Sequence, residues 1–160
     1  MTHLMPDTEI ARLKAAKASG MKTILFVCSG NSIRSQIAEG LINHFFGKEW
    51  AAFSAGTIPM PVPKDLVKVM REIGVDISMK KGKHVGIFKD CAFDRVVVLC
   101  SDVDRICPTL PDCAEQEHIF FHDPLSSAMA SEGFFISFTS SFRQLRDEMK
   151  KVLTAYMKET

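Results

Sequence analysis

The chain has 160 residues, 46% hydrophobic and 24% charged, a balance that suits one soluble domain with its own core. Lys and Arg number 20 against 19 Asp and Glu, and a net charge of +1 argues against a nucleic-acid-binding or polybasic membrane-surface protein. No apolar run approaches the ~20 residues of a membrane span, and residues 1–21 are too polar for a secretory segment. The expected compartment is therefore the cytoplasm, where Cys28, Cys91, Cys100, Cys107 and Cys113 point to catalysis, redox chemistry or metal binding before structural disulfides.

Residues 1–21 read as an N-terminal extension, a short accessory helix capped by Asp7 or Thr8, with Ile10 and Leu13 on one face and Gly20 as its stop. Met21 offers a second start, with the residues before it dispensable and the domain proper spanning 22–160. Thr23–Cys28 is a continuous apolar run and reads as a strand buried on both faces. After a polar loop, Ile37, Ala38, Leu41, Ile42, Phe45 and Phe46 recur at helical spacing, which predicts an amphipathic helix over 33–46 that ends near Gly47. Ala51–Ala55 is a short second strand. Pro63 opens a second helix of this domain, with Leu66, Val67, Met70 and Ile73 inward and Gly74 as its stop. Arg95–Cys100 is a third strand and Ile119–Phe121 a shorter fourth. The Ser- and Phe-rich stretch 125–141 fits no pattern. Phe142, Leu145, Met149, Val152, Leu153 and Tyr156 mark a long C-terminal helix. Strands that alternate with helices imply βαβ units and a parallel four-stranded sheet in an α/β fold, with ligands expected beyond the C-terminal strand ends.

The loop after the first strand carries the chemistry. In Cys28-Ser29-Gly30-Asn31-Ser32-Ile33-Arg34-Ser35, consecutive backbone N–H groups can curl around one tetrahedral oxyanion at a helix N-terminus. Gly30 is expected to supply a backbone angle that a side chain resists. Arg34 adds a planar fork able to hold two anion oxygens. The same field favours thiolate over thiol at Cys28, making it a nucleophile, and Ser35 can donate a hydrogen bond to the sulfur. Cys-x5-Arg alone is a weak pattern; the strand before it, the helix after it and the Gly, Asn and Ser between make it specific.

At these residues the chain resembles a known family. Ile24-Leu-Phe-Val-Cys-Ser-Gly-Asn-Ser-Ile-Arg-Ser-Gln-Ile-Ala-Glu-Gly40 is similar to the opening of the low-molecular-weight tyrosine phosphatase superfamily, and Ser54-Ala-Gly-Thr57 and Asp123-Pro124 match later motifs in the right order. The resemblance covers about residues 22–158. It implies a single-domain, three-layer α/β/α fold and two branches of function: phosphotyrosine phosphatases and thioredoxin-coupled arsenate reductases.

The branch rests on Val98-Leu-Cys-Ser-Asp-Val-Asp-Arg-Ile-Cys-Pro108. Across a rigid helix, residues seven apart are ~10.5 Å apart along the axis, whereas a disulfide needs Cα atoms within ~7 Å. A Cys100–Cys107 bond therefore requires the segment to unwind, which suits a redox switch better than a staple. Leu-Cys-Ser-Asp with Cys-Pro seven residues on looks like the arsenate reductase branch. The resemblance then implies a relay: Cys28 attacks arsenate, Asp123 serves as general acid, Cys100 and then Cys107 exchange the disulfide, and thioredoxin reduces it. Asp123-Pro124 is followed by Leu125-Ser-Ser-Ala rather than the aromatic wall common in the phosphatases, although the Phe-rich 134–142 stretch offers one. The alternatives are a phosphatase that uses Cys28, Arg34 and Asp123 alone, and an oxyanion-binding module without turnover.

Some of these reductases bind potassium through residues matching Asn31, Glu39 and Ser54 plus an acidic side chain. Lys83 stands at that last position, and an ammonium there replaces the cation or excludes it, which speaks against a potassium site. Asn31 and Ser54 then read as loop-orienting, and Glu39 as a solvent-facing helix residue. The spacing Cys107-x5-Cys113-x4-His118-x3-His122 is too long between cysteines and too short in its loop for zinc, so no metal is expected. His122 sits where it can tune Asp123, and Cys91 and Cys113 read as bystanders. No bound cofactor is expected, and the chain is read as a monomer whose partners are an arsenate- or phosphate-type oxyanion and thioredoxin.

Overall fold

The first apolar run forms β1 (Lys22–Cys28), which lies inside a parallel sheet between β2 (Trp50–Gly56) and β3 (Ala92–Val98), with β4 (Asp112–His118) outside β3. The structure, a computed structural model, describes residues 4–100, 112–124 and 138–160, with the backbone alone described at 4–6 and 112–115. Among the described residues the helices include α1 (Leu4–Ala18), α2 (Arg34–Phe45), α3 (Lys64–Arg71), a 3-10 turn (Val85–Phe88) and α4 (Phe138–Lys158). All strand pairs are parallel, as expected for strands buried under helices on both faces. β1 and β2 contribute the centre of the core, with Leu25, Phe26, Val27, Ala52 and Phe53 inaccessible to solvent.

One layer contains α2, α3 and α4, with α4 in contact with both of the others. Gly40 lets α2 pack closely on the segment after α3: a Cβ there would meet Val75 at 3.0 Å and Ile77 at 3.2 Å. The other layer is built on Phe53, Phe88 and Phe93, which meet edge to face. Helix α1 adds Leu13 and Ala16 to the core, and its Arg12 guanidinium lies 3.8 Å over the Phe53 ring. The terminal helix of residues 1–21 is therefore packed rather than trailing. It starts at Leu4, so Asp7 lies in its first turn instead of capping it, while Gly20 takes the left-handed angle of a helix stop (φ 78°).

The outer edge of β2 is closed by the chain itself. Trp50 N–H donates to the Phe46 carbonyl, Ala52 N–H to Asn43 Oδ1, and Gly56 N–H to the Lys83 carbonyl. Asn43 Nδ2 and Arg12 Nη2 both donate to the Ala52 carbonyl.

Several expected boundaries and faces move. The fourth strand is 112–118, not 119–121. Its Asp-Cys-Ala-Glu-Gln-Glu-His text is that of an outer strand and has no apolar run to reveal it. Ile119 and Phe121 instead carry the backbone beyond the strand, donating to the Val98 and Leu99 carbonyls. β3 spans 92–98 and leaves Leu99 and Cys100 past its end. On α2, Phe45 turns outward, where the Lys150 ammonium lies 4.7 Å over its ring. On α3, Val69 takes the fully buried place expected of Val67, which is only partly covered. On α4, Met157 is buried while Val152 faces out and Tyr156 is half-buried.

Candidate active site

Three strand ends meet at one edge of the sheet. Val27 is in register with Val98, and the Leu99 N–H donates to the Val27 carbonyl at 2.8 Å. Cys28 and Cys100 thus leave neighbouring strands at nearly the same level. Asp123 arrives by the segment after β4, and Arg34 Nη2 lies 4.0 Å from its Oδ2. Arg34 Nη1 also donates to the Phe121 carbonyl (3.3 Å), so the guanidinium spans the opening between loop and carboxylate.

The loop from Ser29 to Ile33 is held from outside by the next turn of chain. Ile58 N–H donates to the Ser29 carbonyl (2.8 Å), Met60 N–H to the Gly30 carbonyl (2.9 Å), and Ser32 Oγ to the Pro61 carbonyl (2.7 Å). Gly56 backs it from below: a Cβ there would come within 2.7 Å of both Asn31 N and the Ser29 carbonyl. The left-handed backbone angle falls on Asn31 (φ 46°) and not on Gly30, where a Cβ would meet only ordinary contacts. Asn tolerates that region because its short side chain bonds locally, and here it does so extensively. Helix α2 begins without a side-chain cap and without an acid in its first turn, which leaves its positive end for an anion.

A chain of hydrogen bonds ends on Cys28. The Lys83 backbone N–H can only donate, and it does so to Asn31 Oδ1 at 2.8 Å. That contact orients the amide, so Asn31 Nδ2 donates to Ser35 Oγ at 2.7 Å. With its oxygen accepting from Asn31, the Ser35 hydroxyl keeps its proton available for Cys28 Sγ, 2.9 Å away, a donation that a thiolate there would take. Cys28 is 2% exposed, at the floor of the loop. Gln36 braces the arrangement, its Nε2 donating to the Asn31 and Lys81 carbonyls.

Behind this chain lies a buried ionic cluster. Glu39 is fully buried, contrary to the solvent-facing place expected for it. Arg12 Nη2 is 3.3 Å and Lys83 Nζ 3.9 Å from its Oε1, with Lys80 Nζ 3.4 Å from Oε2. Lys83 Nζ also donates to Ser54 Oγ at 3.3 Å. Burial pushes the Lys83 ammonium down from its ordinary range, with the Glu39 carboxylate opposing. The Lys83 ammonium stands between two of the three residues read as potassium ligands, Glu39 and Ser54, while Asn31 accepts from the Lys83 backbone N–H. Among the described residues no cluster of His, Cys, Asp and Glu could hold a metal ion.

Cys100 is buried at 5% exposure, and its Sγ lies 3.4 Å from Ser29 Oγ. Cys28, Cys91 and Cys100 are free thiols. Burial pushes the partly covered Cys91 thiol up, which favours its protonated form. Cys107, Leu125–Ala128 and residues 134–137 of the Phe-rich stretch lie outside the described residues, as does the side chain of Cys113, while Phe138 stacks on the buried Phe142. His118 and His122 are exposed. Gln36 and Gly56, which brace the loop, and Arg12, on the cluster behind it, were not singled out from the sequence; only Gln36 and Gly56 carried a signal, through their place in the two motifs.

A parallel sheet that delivers a cysteine into an oxyanion loop at a helix N-terminus, with an arginine and a facing aspartate, defines the cysteine-phosphatase type of site. Residues 23–160 match the low molecular weight phosphotyrosine protein phosphatase family, and the chain belongs to it. Arsenate reductase 1 of Staphylococcus epidermidis is 38% identical over 135 residues, covering 84% of this chain and 95% of that one. A solved arsenate reductase in its phosphate-binding state is 26% identical, with a TM-score of 0.70 over 87% of this chain and 98% of that one. The fold is also shared with a thioredoxin-dependent arsenate reductase of Corynebacterium glutamicum (24% identity, TM-score 0.61, 94% of this chain and 72% of that one). Among the described residues no helix is long and apolar enough to cross a membrane.

Proposed function

We propose that the protein reduces arsenate to arsenite through a relay of Cys28, Cys100 and Cys107. The reaction is carried by residues 22–160 acting as a monomer in the cytoplasm, with residues 1–21 an accessory helix. The observation that carries the reading is the second buried thiol, Cys100, set against the oxyanion loop through Ser29. Relatives named arsenate reductases at 36–38% identity support it.

The anion sits on the loop amides from Ser29 to Arg34, with the Arg34 fork swung onto two of its oxygens. The Cys28 thiolate, oriented by Ser35, attacks arsenic. Asp123 donates a proton to the departing oxygen, which leaves as water, and a Cys28–S–As(V) adduct remains. Cys100 then attacks the Cys28 sulfur. An S–S bond forms, the S–As bond breaks, and its electron pair stays on arsenic, which leaves as arsenite. Cys107 attacks Cys100, which frees the Cys28 thiolate and moves the disulfide to Cys100–Cys107. An external dithiol, thioredoxin in this reading, takes the disulfide and returns two thiols.

The test follows NADPH consumption with arsenate, thioredoxin and thioredoxin reductase in wild type, Cys100→Ser and Cys107→Ser. Sustained turnover in wild type alone supports the relay. No wild-type turnover beside ready hydrolysis of an aryl phosphate overturns it in favour of phosphomonoester hydrolysis by Cys28, Arg34 and Asp123. That second reading is favoured by the Arg34–Asp123 pairing, which needs no further thiol. Phosphatase activity surviving in Cys100→Ser does not decide between them, because phosphate and arsenate are alike in shape and charge.

A further inference from the structure

We propose that Arg12, in the helix ahead of the family domain, is a positioning residue of the oxyanion loop, acting through the buried Glu39–Lys83 pair. This rests on the reading of the Cys28 loop as an oxyanion site.

The Arg12 guanidinium touches three parts of the fold. It stacks on Phe53 at 3.8 Å, donates to the Ala52 carbonyl at 3.0 Å, and reaches Glu39 Oε1 at 3.3 Å. Glu9, one helical turn earlier, holds it in place at 3.0 Å. Its far partner matters most. Glu39 is a fully buried carboxylate, and a buried charge is tolerated only when it is compensated. Its Oε1 is shared between Arg12 and Lys83. From Lys83 two contacts lead into the site: its Nζ to Ser54 beside the loop, and its backbone N–H to Asn31, the head of the chain that ends on Cys28.

Removing the guanidinium leaves Glu39 short of one cation on the oxygen that it shares. The Lys83 ammonium is then drawn from Ser54 toward Glu39, and the polypeptide carrying the Asn31 contact follows. One positive charge is also lost behind an anion site, and the Ala52 carbonyl loses a donor on the strand that runs on to Gly56 beneath the loop. All three changes weaken anion binding. A purely structural Arg12 would lower stability but leave the folded loop as it is.

The test compares wild type, Arg12→Met, Arg12→Lys, Glu39→Gln and the Arg12→Met/Glu39→Gln pair in the full chain. Inorganic phosphate affinity is measured by calorimetry, the rate of Cys28 alkylation by iodoacetamide at pH 7 by mass spectrometry, and the thermal midpoint separately. Arg12→Met is expected to bind phosphate about three- to tenfold more weakly and to alkylate more slowly, a range typical of directly coupled neighbours. Arg12→Lys should recover part of both, and Arg12→Met should change both by less in the Glu39→Gln background, where only the lost charge and the lost Ala52 donor remain. Unchanged affinity and alkylation in Arg12→Met, with only a lowered midpoint, overturns the proposal, as does an equal loss in both backgrounds. If wild type itself fails to bind phosphate, the oxyanion reading falls and the proposal with it. Where Arg12→Met does not fold, Arg12→Lys and Glu39→Gln carry the comparison, and affinities equal to wild type in both overturn it.

Discussion

At Asn31 the backbone enters the left-handed region, and the side chain ties Lys83, Gln36 and Ser35 to one point. Ser35 then has its proton to offer to Cys28. Ser35→Ala removes that donor, and the Cys28 alkylation rate at pH 7 is expected to fall roughly tenfold, the effect of losing one hydrogen bond to a charged group; phosphate protection from alkylation should persist. Gly56→Ala puts a methyl group within 2.7 Å of two loop backbone atoms. It should cost about 1–3 kcal/mol of stability as overpacking and lose most phosphate affinity, read by thermal unfolding and calorimetry. Cys28, Arg34, Ser35, Ser54 and Asp123 were legible in the sequence because short motifs hold them. Glu39 was not. Its position on α2 says nothing of a cluster whose other members, Arg12 and Lys83, come from distant segments that only the fold brings together.

Among the elements, α3 and α4 are joined by one carboxylate. Glu72 accepts from Arg143 Nε and Nη2 and from Arg146 Nη1, and Arg146 Nη1 also donates to the Val69 carbonyl. The two guanidinium groups hold the Glu72 carboxyl down at about 2, against an ordinary 4.5. A depressed acid stabilises the fold fully above its unfolded value and loses that effect as pH falls through the folded one. The gap in thermal midpoint between wild type and Glu72→Gln should therefore be constant above pH 4.5 and close as pH falls toward 2. Elements with apolar periodicity were legible: β1, β2, α2, α3 and α4 fall within a few residues of expectation. β4 was displaced because an outer polar strand has no apolar alternation to announce it, and the apolar Ile119–Phe121 beside it drew the reading onto the wrong residues. Phe45 and Val152 sit at helical spacing yet face outward, since spacing sets an angle around the helix but not the width of the buried face.

For the molecule as a whole, a ligand that binds only the folded loop must stabilise the entire domain. Phosphate at a hundred times its dissociation constant contributes about 2.7 kcal/mol, or roughly 5–10 °C in midpoint for a domain of this size. Arg34→Ala should abolish the shift without abolishing the fold, as measured by thermal scans at rising phosphate. The fold class was readable because alternating strands and helices admit few arrangements. The packing of α1 into the core was not, since two apolar residues on a short helix do not say what they cover.

The margin of β2 has a consequence for how the protein behaves in a crowded solution. An outermost strand normally offers a ladder of unused amides on which another chain can build. Here Trp50, Ala52 and Gly56 have already committed theirs to Phe46, Asn43 and Lys83. A second molecule would find these three rungs taken, so growth into fibres by extension of the sheet is hindered on the side that carries the apolar strands.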